Sequence, residues 1–162
     1  MRPVEGMSVL VTGGGSGIGE GIARHLTALG AMVTISGRRA AKVHAVAESI
    51  GPRCRAVVGD VTSASDRSAM VEAALEHGGG GLDVLVNNAG NMYRGALSEL
   101  REEQLLEIFH SNVIGAVMLT QVALDALRAR QGAVIFMGSV HSQRAFPGAS
   151  DRKSTRLNSS HA

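Results

Sequence analysis

Aromatic residues are almost missing from this chain of 162 residues: it holds no tryptophan, one tyrosine and three phenylalanines. A core made from it must be packed with Ala, Val, Leu, Ile and Met, which suits helices lying close on a parallel sheet. Cys54 is the single cysteine, so an internal disulfide and a cysteine-based zinc site are both excluded, and the residue reads as a small buried hydrophobe. The opening Met1-Arg2-Pro3-Val4-Glu5-Gly6 lacks the charged-then-apolar pattern of a secretion signal, and no apolar run approaches membrane-spanning length. The expectation is a soluble protein of a reducing, cytoplasmic compartment, with no membrane partner. An excess of charge is missing too. The formal balance is +2, but Arg152, Lys153 and Arg156 stand against Asp151 alone in the stretch 151–162, so the remainder is neutral. That removes the electrostatic footprint of a nucleic-acid partner. Length and a hydrophobic content of 44% fit one domain with one core.

Glycine, by contrast, is plentiful, with 21 residues. The segment Val9-Leu10-Val11-Thr12-Gly13-Gly14-Gly15-Ser16-Gly17-Ile18-Gly19 is an apolar strand running into a glycine-packed turn, and a helical pattern follows over 20–29. Strand, tight turn and helix N-terminus together form an anion site, because backbone N–H groups point outward and the helix dipole favours negative charge. The spacing G-x-x-x-G-x-G is neither the common G-x-G-x-x-G fingerprint nor a P-loop, since Glu20 and Gly21 follow where a P-loop needs Lys and Ser or Thr. The turn reads as a nucleotide cradle and not as an NTPase site.

Short apolar runs at 8–12, 32–36, 55–58, 84–87 and 133–137 alternate with helical patterns at 17–29, 40–50, 65–77 and one long helix over 102–128. Ser98 to Glu103 offers a capped turn ahead of the long helix, and Gly78 to Gly81 reads as a slack connection. Such alternation predicts an α/β fold: a doubly wound parallel sheet in the order 3-2-1-4-5, in three αβα layers, with right-handed crossovers. Polar motifs sit at the strand ends: Gly37-Arg38-Arg39, Gly59-Asp60-Val61-Thr62, Asn87-Asn88-Ala89-Gly90 and Gly138-Ser139. Each alone is ordinary turn chemistry. Together they gather at the edge of the sheet where ligands bind.

With Thr12-Gly13-x-x-x-Gly17-x-Gly19, Asp60-Val61, Asn87-Asn88-Ala89-Gly90, Asn112 and Ser139 in this order, the chain resembles the short-chain dehydrogenase/reductase family from Met7 to Ser150. The resemblance implies a Rossmann-type fold that binds NAD or NADP and moves a hydride between nicotinamide and a small carbonyl or alcohol substrate. It assigns Thr12, Gly13, Gly15, Ser16, Gly17, Ile18 and Gly19 to the pyrophosphate and its adjoining ribose, Asp60 to the adenine amino group and Val61 to the ring. Asn87, Ala89 and Gly90 fall beside the riboses, with Asn87 bracing the central strands. Asn112 takes a place in the proton relay, bending its helix and holding a water, and Ser139 bonds the substrate oxygen. The family's usual homo-oligomeric association is implied for the parent protein.

At the end of the second strand, NAD enzymes place a carboxylate that binds the ribose hydroxyls. Gly37 stands there, followed by Arg38 and Arg39. An arginine grips a 2′-phosphate with paired, charge-assisted bonds, so NADP(H) is expected over NAD(H) and Arg38 is the residue assigned to it. The basic residue that NADP-preferring members often carry before the middle glycine is replaced by Ser16.

The family's Tyr-x-x-x-Lys is not found. Its tyrosine position falls on Arg152 and its lysine position on Arg156, and a guanidinium stays protonated and cannot serve as the acid–base group. Tyr93, with Leu97 four residues on, is no substitute, and His141 reads as a loop residue beside the site. The resemblance ends at Ser150, and 151–162 resembles translated sequencing-adapter DNA with no apolar periodicity. The expected organisation is therefore a dinucleotide-binding domain over 1–150, cut short of the family's last strands, and a non-native, disordered tail over 151–162. Such a polypeptide is expected to be inactive and poorly soluble, with an exposed strand at 133–137. The other reading open at this point is a non-catalytic NAD(P)-binding regulator.

Overall fold

Each apolar run becomes a strand. In the computed structural model, which describes residues 3–139, the order is β1 (Ser8–Thr12), α1 (Gly17–Ala28), β2 (Met32–Gly37), α2 (Ala40–Ile50), β3 (Cys54–Val58), α3 (Ala64–His77), β4 (Val84–Asn87), α4 (Glu102–Phe109), α5 (Gly115–Ala129) and β5 (Ala133–Phe136). All pairings are parallel, and the sheet runs β3-β2-β1-β4-β5, as the alternation predicts. Val9 lies beside Val33 and Val84, so β1 is central and every residue in it is buried. That is why its apolar run is unbroken rather than alternating.

The sheet separates two cores. On one face Ala23 of α1 and Val43, Val46 and Ala47 of α2 close over Val9, Val11, Val33 and Ile35. On the other, Met70, Val71 and Ala74 of α3 and Leu119, Ala123 and Leu127 of α5 close over Leu10 and Leu85. Alanine at 23, 74 and 123, each fully buried, lets the helix backbones approach the sheet closely. Cys54 belongs to the first core, and burial pushes its thiol pKa up to about 11, so it behaves as the small hydrophobe its composition suggested.

Four details depart from the sequence reading. The helix expected over 102–128 is interrupted by a π-helical turn, His110–Ile114, between α4 and α5. Ser111 Oγ stands 3.0 Å from the Glu107 carbonyl and 2.9 Å from Asn91 Oδ1, so a hydroxyl and a neighbouring loop compete with the regular ladder there. By length and composition Glu102–Ala129 also passes for a membrane-crossing helix, its most apolar 18-residue window having a mean hydropathy of 1.3. The expectation that no apolar run approaches membrane-spanning length fails for this helix by that measure, although its Leu119, Ala123 and Leu127 pack on the sheet. The cap before α4 is Arg101, whose N–H donates to Gln104 Oε1 at 3.0 Å, while Ser98 lies inside a short 3-10 turn, Leu97–Glu99. The glycine run at 78–81 is not slack either, because a Cβ on Gly78 would strike Ser8 and one on Gly81 would strike the Arg130 guanidinium.

β5 forms one edge of the sheet, with Ile135 and Phe136 exposed. Residues 151–162, Arg152, Arg156 and His141 lie outside the described residues.

Candidate functional site

The sheet order reverses between β1 and β4, and there the strand ends open a crevice. A cleft of about 640 Å³ occupies it, lined from the glycine turn (Gly13, Gly15, Ser16, Ile18), the β2 end (Ser36 to Arg39), Gly59 to Val61, and Asn88 to Asn91. Its size is that of an ordinary small-molecule or cofactor site.

The turn is built to leave donors open. Gly13 and Gly17 adopt φ of +69° and +57°, where a side chain is strained. Ser16 is the N-cap of α1, yet its side chain makes no capping bond, and Ser16 Oγ instead accepts from Arg39 Nη2 at 3.1 Å. The first N–H groups of a helix have no partner within it. With the cap serine turned aside, the start of α1, which borders the cleft at Ser16 and Ile18, is left open to an anion, while Gly17 and Gly19 lie outside the cleft lining.

Thr12, expected among the cofactor residues, is 1% exposed and lies behind the cleft wall. Its Oγ1 accepts from the N–H groups of Asn88 (3.0 Å) and Ala89 (2.9 Å) and donates to the Val86 carbonyl (3.3 Å). Asn88 Nδ2 donates back to the Thr12 carbonyl at 2.9 Å, so β1 and the Asn-Asn-Ala-Gly turn are stitched together. Thr12→Val keeps the shape but leaves the half-buried Ala89 N–H without its acceptor and takes one of two from Asn88 N–H, which keeps the Val86 carbonyl at 3.1 Å. The expected loss is about 2 kcal/mol in urea unfolding, where an ordinary isosteric change would be near neutral.

Asn87 also sits behind the wall, with Nδ2 donating to Thr120 Oγ1 at 3.1 Å across to α5. The bracing expected of it was of the central strands, and the bond it makes runs instead to a helix. Its Oδ1 is buried without a partner among the described residues, as is the Ser36 hydroxyl, which borders the cleft. The unsatisfied Ser36 hydroxyl, at a site cradled by glycine and cations, fits a bound group that brings a polar partner and an anion.

The Asn112 side chain pairs with a backbone. Its Oδ1 accepts from Asn91 N–H at 2.9 Å and its Nδ2 donates to the Asn91 carbonyl at 2.8 Å, pinning the π-helical turn to the loop after β4. Gly90 faces the same carboxamide, at 3.0 Å for a built Cβ. Asn91 and Ser111 line the cleft and were not singled out from sequence, nor were Ser36, Lys42 and Asn88. Asn88, inside the Asn-Asn-Ala-Gly motif, and Asn91, next in line after it, carried a positional hint. Ser139 follows β5 and is half-buried, outside the cleft lining.

At the β3 end, Asp60 Oδ1 accepts from both the N–H and the hydroxyl of Thr62, each at 2.9 Å, and Oδ2 lies 3.7 Å from Arg38 Nη1. Asp66 Oδ2 accepts from Asp60 N–H at 2.8 Å, and this bond, followed by one to Ser63, holds the Asp66 carboxyl below its ordinary value. A carboxylate with a folded pKa below its unfolded one stabilises the fold above about pH 3.9, and that contribution is lost as pH falls through the folded value. Stability measured by urea midpoint is therefore expected to fall more steeply below pH 4 in the native chain than in Asp66→Asn.

Comparison with known proteins gives a consistent answer. Residues 7–151 match the family model described as short chain dehydrogenase. An uncharacterized oxidoreductase of Methylorubrum extorquens is 38% identical over 91% of this chain and 60% of its own length. Galactitol 2-dehydrogenase of Agrobacterium fabrum is 35% identical over 83% of this chain and 53% of its own. Among solved structures, 3-ketoacyl-(acyl-carrier-protein) reductase from Brucella melitensis, complexed with NADH, superposes with a TM-score of 0.86 at 32% identity, covering 94% of this chain and 65% of that one. The chain thus spans between half and about two thirds of the length of these relatives. A family model matched over 7–151, with relatives at 38% and 35% identity, shows that this chain belongs to the short chain dehydrogenase family.

Proposed function

We propose that this chain is the coenzyme-binding part of an NAD(P)-dependent oxidoreductase that exchanges a hydride between nicotinamide and the carbonyl or alcohol of a small molecule, with NADP(H) preferred. The observation that carries the reading is the cleft itself: an uncapped helix N-terminus on one side and Arg38, Arg39 and Lys42 on the other. Pyrophosphate would rest on the N–H groups of the turn from Gly13 through Gly19, with Gly15, Ser16 and Ile18 at its rim. Asp60 would accept from the adenine amino group through Oδ2, since Oδ1 is already taken by Thr62. Val61 would cover the ring, and Ala89 and Gly90 would border the riboses, with Asn87 supporting them from behind. Bound nicotinamide supplies the hydride chemistry. Ser139 would bond the substrate oxygen, and Asn112 would keep the relay side of the pocket in place through Asn91. The relatives' names, a galactitol dehydrogenase and a ketoacyl reductase, support an alcohol or ketone as substrate class.

Arg152 and Arg156 occupy the positions of the family's acid–base pair, so this polypeptide would bind coenzyme without turning it over. Leu106, Phe109, Val113 and Val117 form an exposed apolar stripe along α4 and α5, which supports homo-oligomeric assembly of the complete protein. Titration of the chain with NADPH and NADH, followed by coenzyme fluorescence, tests the reading. Saturable binding with NADPH the tighter is expected, and retention of neither coenzyme would overturn it.

A further inference from the structure

Arg67 stands out among the described residues. It lies at the start of α3, where a cation meets the unfavourable end of the helix dipole, and it is 8% exposed. Among the described residues it has no carboxylate partner. Its Nη1 donates to the Val61 carbonyl at 2.7 Å, and its Nε is buried without a partner. A buried cation held by one carbonyl is weak evidence of a stabilising role, since an apolar side chain of similar volume is often neutral or better at such a position. Departures of this kind concentrate at functional sites.

What Arg67 holds is specific. Val61 lines the cleft, next to Asp60. The preceding residue, Asp66, takes the N–H of Asp60 at 2.8 Å. Adjacent side chains of one helix thus grip the Asp60–Val61 dipeptide at both ends, Asp66 as acceptor at its N–H and Arg67 as donor at its carbonyl. Gly115 leaves room for the arrangement, because a Cβ there would come within 2.9 Å of the same Val61 carbonyl.

We infer that Arg67 is a positioning residue for the adenine end of the cleft, fixing the Asp60–Val61 edge so that the Asp60 carboxylate meets the exocyclic amino group of the base. This rests on the coenzyme reading above. The residue reaches the base only through Val61, so its signature is base discrimination rather than overall binding.

The test is calorimetric titration with NADP⁺ and with its hypoxanthine analogue, in which a carbonyl replaces the adenine amino group and would face the Asp60 carboxylate. The native chain is expected to prefer the adenine coenzyme by about tenfold, the worth of one charge-assisted hydrogen bond. In Arg67→Met that preference is expected to shrink to about twofold, with an unchanged or higher urea midpoint. Arg67→Lys, which can still donate to the carbonyl, should restore it. Arg67→Leu is measured alongside in case methionine packs badly. Undiminished preference in the apolar variants overturns the inference and leaves the coenzyme reading standing. Equal weakening of both coenzymes, or unfolding of both apolar variants, overturns it in favour of a purely structural role. A native chain that retains neither coenzyme sinks both.

Discussion

Gly19→Ala is expected to destabilise the fold by about 3–4 kcal/mol and to lower coenzyme affinity by more than about a hundredfold, although alanine is the better helix former by about 1 kcal/mol. A Cβ at Gly19 would strike the Gly13 carbonyl and come within 2.6 Å of Asn88 Nδ2. Neither neighbour can yield cheaply. The carbonyl belongs to a glycine already held at φ +69°, and the amide is engaged with the Thr12 carbonyl at 2.9 Å and the Gly13 carbonyl at 3.3 Å. Overpacking costs about 1–3 kcal/mol and sometimes more, and disturbing the Asn88 bonds adds to it. Steric conflict outweighs propensity.

The same helix supplies a matched control. Gly21 sits two residues on, exposed, with nothing within 4 Å of a built Cβ. Gly21→Ala should therefore raise stability by about 1 kcal/mol, propensity acting alone. Urea unfolding of the two variants checks the pair. Similar shifts in both would mean that the turn relaxes freely and that Gly19 is not held against the Asn88 brace.

The sheet was legible because its signal is local. A parallel strand covered on both faces reads as an unbroken apolar run, and 8–12 and 84–87 coincide with β1 and β4 to the residue. A bend at Asn112 was implied by the resemblance, but its form, a π-helical turn, was not legible, because Asn91, distant in sequence, pairs with Ser111 and Asn112 there. Glycine motifs pointed to the front of the cleft for a related reason: close approach restricts residue type, and residue type shows in a sequence. Thr12 was marked as a coenzyme contact because it precedes the glycines, yet its hydroxyl is committed to Asn88 and Ala89. Ser36 and Lys42 went unmarked, since a serine ending a strand and a lysine on a helix surface are ordinary in composition. Arg67 was hidden by its neighbours. In a polar helix start such as Ser63-Ala64-Ser65-Asp66-Arg67, nothing local distinguishes an inward arginine from a solvated one.

Arg38→Asp is expected to reduce NADPH affinity by about a hundredfold while leaving NADH within about threefold, which would invert the coenzyme preference. In the structure Arg38 faces Asp60 at 3.7 Å with its side chain 67% exposed. An exposed pair of that length is worth about 0–1 kcal/mol, too little to keep the guanidinium from a dianionic phosphate that it can grip with two bonds. The substitution removes that grip and sets a second carboxylate beside Asp60, where it repels a 2′-phosphate yet can accept from the two ribose hydroxyls of NADH. Arg39 is placed differently, donating to Ser16 Oγ on the pyrophosphate side of the cleft, so Arg39→Asp should weaken both coenzymes together instead of changing their ratio. Parallel titrations of the two variants separate these roles. If the ratio follows Arg39 and ignores Arg38, the phosphate subsite lies against the glycine turn, and the exposed Arg38 serves only to balance Asp60.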